Sequence, residues 1–225
     1  LHAHPSLSPA LILLATFVVF SLMNSKFATA QTMSLLVQQT AVVAILAVGQ
    51  TLIILTAGID LSVGAITILS TMVMATVATK NGVAAPLALL LGILVGVACG
   101  TLNGALVTRL RLPPFIVTLG TLSVFTAIAL LYSGGTAIQG DALPPLLNWT
   151  GNIVSIGSFK ITTGVLLVLG VYLVVGFVLS QTAWGRHVYA VGDDAEAARL
   201  AGIGSARVLL SVYVAAGLIY GIAAW

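Results

Sequence analysis

The chain has 225 residues, of which 60% are hydrophobic and only 6% are charged. Because a soluble domain carries about 25% charged residues, this composition excludes a soluble fold and indicates an integral membrane protein. The net charge of +3 is not concentrated in a basic run, which argues against nucleic acid as a partner. The apolar runs lack the alternation of a membrane barrel, so the expected fold class is all-α, a polytopic bundle of transmembrane helices.

Seven apolar segments follow one another along the chain, and most are about as long as a membrane span requires. Together they predict a single transmembrane domain over residues 1–225, with a loop rich in Gly, Pro, Asn and Ser over residues 133–160. The last segment is still apolar at Trp225, so we expect further membrane helices beyond it and regard the domain as C-terminally truncated. The predicted segments are residues 8–23, 41–57, 63–79, 86–108, 115–132, 161–180 and 208–225.

A polar interruption, Gly58-Ile59-Asp60-Leu61-Ser62, separates the second apolar segment from the third. Gly58 can end one helix, and Asp60 or Ser62 can cap the next, so the pattern predicts a short broken or re-entrant segment. Irregular backbone at membrane depth is tolerated only where it is buried in protein or lines a wet cavity. Gly58, Asp60 and Ser62 are therefore candidates for the translocation pathway of a transporter. The alternative is that Asp60 merely caps a helix near the membrane interface.

Glycine recurs at every fourth position of the fourth apolar segment, at Gly92, Gly96, Gly100 and Gly104. This spacing places the four residues on one helix face, where small residues allow another backbone to approach closely. We interpret the ridge as a helix-packing surface rather than as a direct part of a transport path.

Six of the thirteen charged side chains lie close together in residues 182–207, TAWGRHVYAVGDDAEAARLAGIGSAR. Charged side chains are costly in hydrocarbon, so this stretch is expected to be a water-exposed loop. It also predicts a helix of about eight residues, with Asp193 as its cap, Glu196 three residues later and Gly202 at its end. Helices this short are marginal in water, which suggests that this one is held by docking. The alternative is a helical loop that only packs on its own protein. The residues singled out here are Asp193, Asp194, Glu196, Ala197, Ala198, Arg199 and Gly202.

The distribution of basic residues indicates which side of the membrane the charged loop faces. If this loop is cytoplasmic, all five arginines face inward and all three lysines face outward, in agreement with the positive-inside rule.

The sequence contains no recognisable catalytic or metal-binding constellation. The three histidines lack metal-ligand spacing, and no lysine follows a glycine as it does in a Walker A motif. We therefore expect neither an enzyme nor a chain that binds a metal or cofactor. If ATP drives its activity, a separate polypeptide must hydrolyse it.

Three stretches resemble one family closely and in the family's order. They are GQTLIILTAGIDLSVGAI (residues 49–66), LNGALVTRLRLPPFIVTLGTLSVF (residues 102–125) and GRHVYAVGDDAEAARLAGI (residues 185–203). They look like the permease subunits of bacterial ATP-binding-cassette (ABC) importers of the ribose, xylose and galactose type. Glu196-Ala197-Ala198 followed by Gly202 also fits the E-A-A-x-x-x-G pattern of importer permeases.

The resemblance implies a mechanism and a set of partners. The helix in residues 182–207 would be a cytoplasmic coupling helix that docks on an ABC ATPase subunit, and that subunit would hydrolyse ATP with Mg. A periplasmic sugar-binding protein would deliver a pentose or hexose, and a second, identical or different, permease chain would complete the pathway. The protein would lie in the lipid of the bacterial inner membrane.

Two other functions remain open at this point. One is an ion-coupled secondary transporter that uses Asp60, although proton relays usually contain several ionisable groups. The other is a membrane subunit that transports nothing and only organises a complex.

Overall fold

The computed structural model describes residues 7–225, and α-helices dominate them. Five helices (α2, α4, α5, α6 and α9 as bounded below) are long and apolar enough to cross a membrane, and α1 and α3 are apolar but shorter. The expected all-α polytopic membrane bundle is confirmed. The helices are α1 (Leu7–Met23), α2 (Ala30–Ile54), α3 (Val63–Thr79), α4 (Ala85–Arg109), α5 (Pro114–Ser133), α6 (Thr163–Gln181), α7 (Ala183–Asp193), α8 (Ala195–Leu200) and α9 (Ser205–Ala223).

Several helix bounds match the apolar segments closely, but α2 does not. It begins at Ala30, well before the apolar run predicted from residue 41. Thr29 starts it, because its hydroxyl accepts a hydrogen bond from the Thr32 amide at 3.4 Å. Polar residues such as Gln38 are therefore part of the helix. The prediction was based on hydropathy, and it put the start of this helix too late in the sequence.

The segment predicted as a loop over residues 133–160 contains a small antiparallel hairpin after two short 3-10 turns. Strands β1 (Ile153–Ile156) and β2 (Phe159–Thr162) pair with Ile153 opposite Thr162. The hairpin is fastened to α2, since the Lys160 amide donates to Ser34 Oγ at 2.8 Å. The Gln38 side-chain amide donates in turn to the Lys160 carbonyl at 2.9 Å. Strands of four residues are too short to show a clear alternation of apolar and polar residues, so the sequence did not predict them.

Helix α9 lies in the centre of the bundle, where it contacts α2, α3, α4 and α7. Its closest approach is to the glycine ridge of α4: a Cβ built on Gly96 lies 2.8 Å from the amide nitrogen of Gly221. A Cβ on Gly100 lies 2.9 Å from the Cα of Gly217. The ridge serves more than one neighbour, because Gly92 faces Met74 of α3 and Gly104 faces Tyr213 of α9.

The two ends of the bundle carry different structures. Helix α9 starts directly after α8, and its 19 residues rise about 28 Å. At its far end Trp225 stacks on Trp149, with 5.3 Å between ring centroids, next to the β-hairpin. The charged α7–α8 region and the hairpin therefore lie at opposite ends of the bundle.

Candidate functional site

The break between α2 and α3 is a tight turn closed by backbone hydrogen bonds. The Gly58 amide donates to the Ile53 carbonyl at 3.0 Å, and the Ala57 amide donates to the Ile54 carbonyl at 2.9 Å. This is the Schellman pattern, and Ala57 (φ 56°) takes the left-handed position that usually falls to glycine. The prediction that Gly58 itself ends the helix by its conformation was wrong. Gly58 is needed for space, since a Cβ there would lie 2.9 Å from Ile53 Cγ2.

Asp60 is buried in this break, with 3% of its surface exposed. Its Oδ1 accepts hydrogen bonds from the Ser62 amide at 2.7 Å and the Ser62 hydroxyl at 2.6 Å. Ser62 precedes the first residue of α3, but its side chain makes no capping bond to the helix amides. Its Oγ instead donates to Asp60 and accepts a hydrogen bond from Asn103. The expectation that Asp60 or Ser62 caps α3 through its side chain was therefore wrong. The pair instead fixes the turn that leads into the helix.

Two polar residues that the sequence analysis did not single out tie the break to other helices. Asn103 of α4 donates from Nδ2 to Ser62 Oγ at 2.8 Å. The Thr118 hydroxyl of α5 has two acceptors in reach, the Ile59 carbonyl at 3.1 Å and the Pro114 carbonyl of its own helix at 2.9 Å. Asn103, Thr118, Asp60 and Ser62 are all buried. The only sequence signal for Asn103 is that an amide interrupts an otherwise apolar helix, and its partner lies 41 residues away.

The charged loop over residues 182–207 contains two helices rather than the one predicted. Helix α7 was missed, and it continues through Asp193, so Asp193 cannot act as the predicted cap. Asp194 caps α8 instead: its Oδ1 accepts from the amides of Glu196 at 2.9 Å and Ala197 at 3.0 Å. Helix α7 mixes polar and aromatic residues, so its hydropathy is similar to that of a loop. For this reason the sequence analysis did not recognise the segment as a helix.

Helix α8 is six residues long and ends in a Schellman motif at Gly202 (φ 86°). The Ile203 amide donates to the Ala198 carbonyl at 2.9 Å, and Ala198 is buried against the rest of the chain. On the opposite side, Arg199 Nε donates to Glu196 Oε2 at 3.0 Å. This hydrogen bonding lowers the pKa of the exposed Glu196 carboxyl, so the carboxylate is charged at neutral pH.

The outward surface of α8 combines charge with an apolar side chain. Glu196, Ala197 and Arg199 are exposed, and Leu200 has 78% of its surface exposed. The sequence analysis did not single out Leu200, although it follows Arg199 directly.

The structure brings the charged loop and the break together through α7. Gly192 lies directly against the Leu55 carbonyl, and a Cβ built on it lies 3.4 Å from the Cα of Thr56. On the buried side of the same helix, Val188 and Val191 pack in the core. Asp193, Asp194 and Glu196 thus lie at the end of the bundle where Gly58, Asp60 and Ser62 form the break. The glycine ridge runs along α4, and its last member, Gly104, faces Tyr213, whose hydroxyl lies 3.5 Å from a Cβ built on Gly58.

The chain is similar to known proteins over most of its length. The model of one family, described as the permease component of branched-chain amino acid transport systems, matches residues 32–225. The fructose import permease protein FrcC of Rhizobium meliloti is 43% identical over all of this chain and 64% of its own length. The autoinducer 2 import system permease protein LsrC of Enterobacter sp. (strain 638) is 34% identical over 95% of this chain and 60% of its own.

The ribose import permease protein RbsC of Bacillus subtilis (strain 168) is likewise 34% identical, over 96% of this chain and 66% of its own length. The chain thus spans 60–66% of the length of these three relatives. No solved structure matches it.

Proposed function

This chain belongs to the family of branched-chain amino acid transport system permease components, and we propose that it is the membrane permease of an ABC importer. Because two relatives are named as fructose and ribose import permeases, we propose a monosaccharide as its solute. The observation that carries this proposal is the contact of α7 with the break between α2 and α3. It gives a helix outside the membrane a direct mechanical connection to irregular backbone inside the bundle.

The proposed mechanism starts at α8, which would dock on a cytoplasmic ATPase subunit. Glu196, Ala197, Arg199 and Leu200 provide the docking surface, and the Asp194 cap and Gly202 end keep this short helix formed. Closure of the ATPase on ATP would displace α8 and, with it, the adjoining α7. No ATP or Mg would bind to the permease itself.

Movement of α7 would then reach the break through Gly192 and Leu55. No side chain separates these two backbones, so there is no flexible group to absorb the displacement. A displacement of the break would be transmitted to α4 and α5 through the hydrogen bonds that Asn103 and Thr118 make with it. Gly58, Asp60 and Ser62 would thereby act as a hinge of the translocation pathway rather than as contacts to the solute.

The proposed solute class comes from the relatives, two of which are named as importers of fructose and ribose. A pentose or hexose is therefore the proposed substrate, supplied by a periplasmic binding protein. A second permease chain would complete the pathway in the bacterial inner membrane. The loop of α7 and α8 would face the cytoplasm, in agreement with the distribution of arginine and lysine.

The test reconstitutes the permease with its ATPase and binding protein and measures sugar uptake and ATP hydrolysis together. Glu196→Ala removes half of the ion pair of α8, and Gly202→Val introduces a β-branched residue at a positive φ. Both variants should lower the sugar taken up per ATP hydrolysed. Unchanged coupling in both would remove α8 from the mechanism.

A further inference from the structure

A cavity of about 410 Å³ lies at the end of the bundle opposite α8, between α2, α3, α6 and α9. This volume falls within the range of about 300–1,000 Å³ that small-molecule sites occupy. The residues that line it include Gln38, Thr67, Thr71, Thr150, Thr162 and Trp225, and the others are mainly aliphatic. None of these residues belongs to the break or to the charged loop.

Three threonine hydroxyls of this cavity already donate their protons to carbonyl groups of the protein. Thr67 Oγ1 donates to the Val63 carbonyl at 2.9 Å, and Thr150 Oγ1 donates to the Trp225 carbonyl at 2.9 Å. Thr71 Oγ1 has the carbonyls of Thr67 and Ala224 as acceptors, each at 3.0 Å. The Gln38 amide donates to the Lys160 carbonyl. The oxygens of these three threonines remain as acceptors, whereas the Thr162 hydroxyl and the second N–H of the Gln38 amide have no acceptor among the described residues. The cavity therefore suits a ligand that carries both donors and acceptors, as a hydroxyl group does.

Charge further restricts the ligand. The described residues that line the cavity include no acidic or basic side chain. An amino acid carries a carboxylate and an ammonium group, and transferring either into such a site without a partner is costly. A sugar, by contrast, brings several neutral hydroxyl groups and an apolar C–H surface that can pack on the aliphatic lining residues.

One side of the cavity is held rigid by Trp225. Its indole stacks on Trp149, and its Nε1 donates to the Leu146 carbonyl at 3.0 Å. A fixed aromatic wall reduces the ordering that a ligand must impose when it binds.

We propose that this cavity binds a neutral, hydroxyl-rich solute of pentose or hexose size, with Thr67 and Thr71 accepting hydrogen bonds from its hydroxyl groups. The inference rests on the proposed function for its choice of solute, and it adds a binding site in the permease itself. It also favours a sugar over the zwitterionic amino acid that the family description suggests.

A second, larger groove of about 670 Å³ lies between α4, α6 and α9, near α7. Its lining is almost entirely aliphatic, and the indole of Trp184 already donates to Ser211 Oγ at 2.8 Å. A polyol would find few partners there, so this groove is not the proposed sugar site.

The test measures binding of D-fructose, D-ribose and L-leucine to the purified permease in lipid nanodiscs, read by tryptophan fluorescence and by radiolabelled sugar. Thr67→Val removes one acceptor without changing the shape of the side chain. Thr79→Val is the matched control, because Thr79 lies on the same helix, makes the same bond to the carbonyl four residues earlier and lies outside the cavity. Circular dichroism and gel filtration check that each variant is folded.

The expected result is that wild type and Thr79→Val bind the sugars equally, whereas Thr67→Val binds about 2- to 12-fold more weakly, as the loss of one hydrogen bond predicts. If Thr67→Val fails to fold, Thr71→Val is measured against the same control. Equal binding by variant and control would overturn the proposal, as would the absence of sugar binding by wild type or equal binding of L-leucine. Failure of ATP-dependent uptake with binding intact would instead overturn the proposed function.

Discussion

Gly192 of α7 lies directly against the carbonyl of Leu55, in the turn that ends α2. This contact joins the charged loop to the break that contains Asp60, two regions separated by more than a hundred residues of sequence. It turns two independent sequence features into one structural unit. The predictions below test that unit and the helix packing that supports it.

Substitution of Gly192 should lower both the stability of the protein and the coupling of transport to ATP hydrolysis. In Gly192→Ala the new Cβ overlaps the Leu55 backbone, so α7 must shift, which typically costs about 1–3 kcal/mol in a packed interior. We expect a lower melting temperature and less sugar taken up per ATP hydrolysed. Gly176→Ala in α6 is the control, because its Cβ meets nothing within 4 Å. A Gly192→Ala variant with normal stability and normal coupling would contradict the proposed connection.

The crossing of α4 and α9 depends on Gly100. A Cβ there lies 2.9 Å from the Cα of Gly217, and neither backbone can yield without separating the helices. Gly100→Ala should therefore destabilise the protein by about 1–3 kcal/mol, measured by unfolding in mixed detergent.

The comparison for Gly100 is Gly120→Ala in α5, which has open space around its Cβ. Alanine is the better helix former, by about 1 kcal/mol in exposed helices, so this control should be neutral or slightly more stable. If both variants unfold alike, close packing at Gly100 is not what holds the two helices together.

Asp60 distinguishes the proposed importer from an ion-coupled transporter. Asp60→Asn keeps an oxygen that can accept from the Ser62 amide and hydroxyl, so the turn and ATP-driven uptake should persist. Asp60→Ala leaves these buried donors unpaired, which costs about 1–3 kcal/mol, and should reduce both stability and uptake. Uptake is measured in proteoliposomes, with melting temperature as the check on folding. A folded but inactive Asp60→Asn variant would favour coupling to an ion at the carboxylate.

The cap of α8 can be tested by a pair of neighbouring substitutions. Asp194→Ala removes the acceptor for the Glu196 and Ala197 amides and should weaken the helix by about 1 kcal/mol. Hydrogen exchange at these amides should become faster, and coupling to the ATPase should fall. Asp193→Ala changes an exposed residue at the end of α7 and should leave both measurements near wild type. The opposite ranking would restore Asp193 as the cap.

The sequence predicted those features that depend on local composition. Helices α3, α4 and α5 were placed closely because Pro86, Pro113 and Pro114 and polar turns bound long apolar runs. Gly202 was recognised as the residue after a helix end because a left-handed position there favours glycine. The start of α2 was missed, since a helix capped by Thr29 can carry polar residues without a change in its backbone.

The features that the sequence did not predict depend on contacts between distant residues. Nothing near Asn103 or Thr118 indicates that they bond to the turn around Asp60. The contact of Gly192 with Leu55 is equally invisible, because a glycine near a helix end is common for conformational reasons alone. The cavity beside Trp225 combines residues from four helices and the hairpin loop, so it exists only in the folded chain.

The most direct test of the account is sugar accumulation in proteoliposomes that contain the permease, with and without its ATPase subunit, binding protein and ATP. The account predicts accumulation only when all three are present, and loss of accumulation when α8 is made unable to dock by Leu200→Asp with Glu196→Lys. Accumulation that follows the membrane potential in vesicles without the ATPase subunit would contradict it.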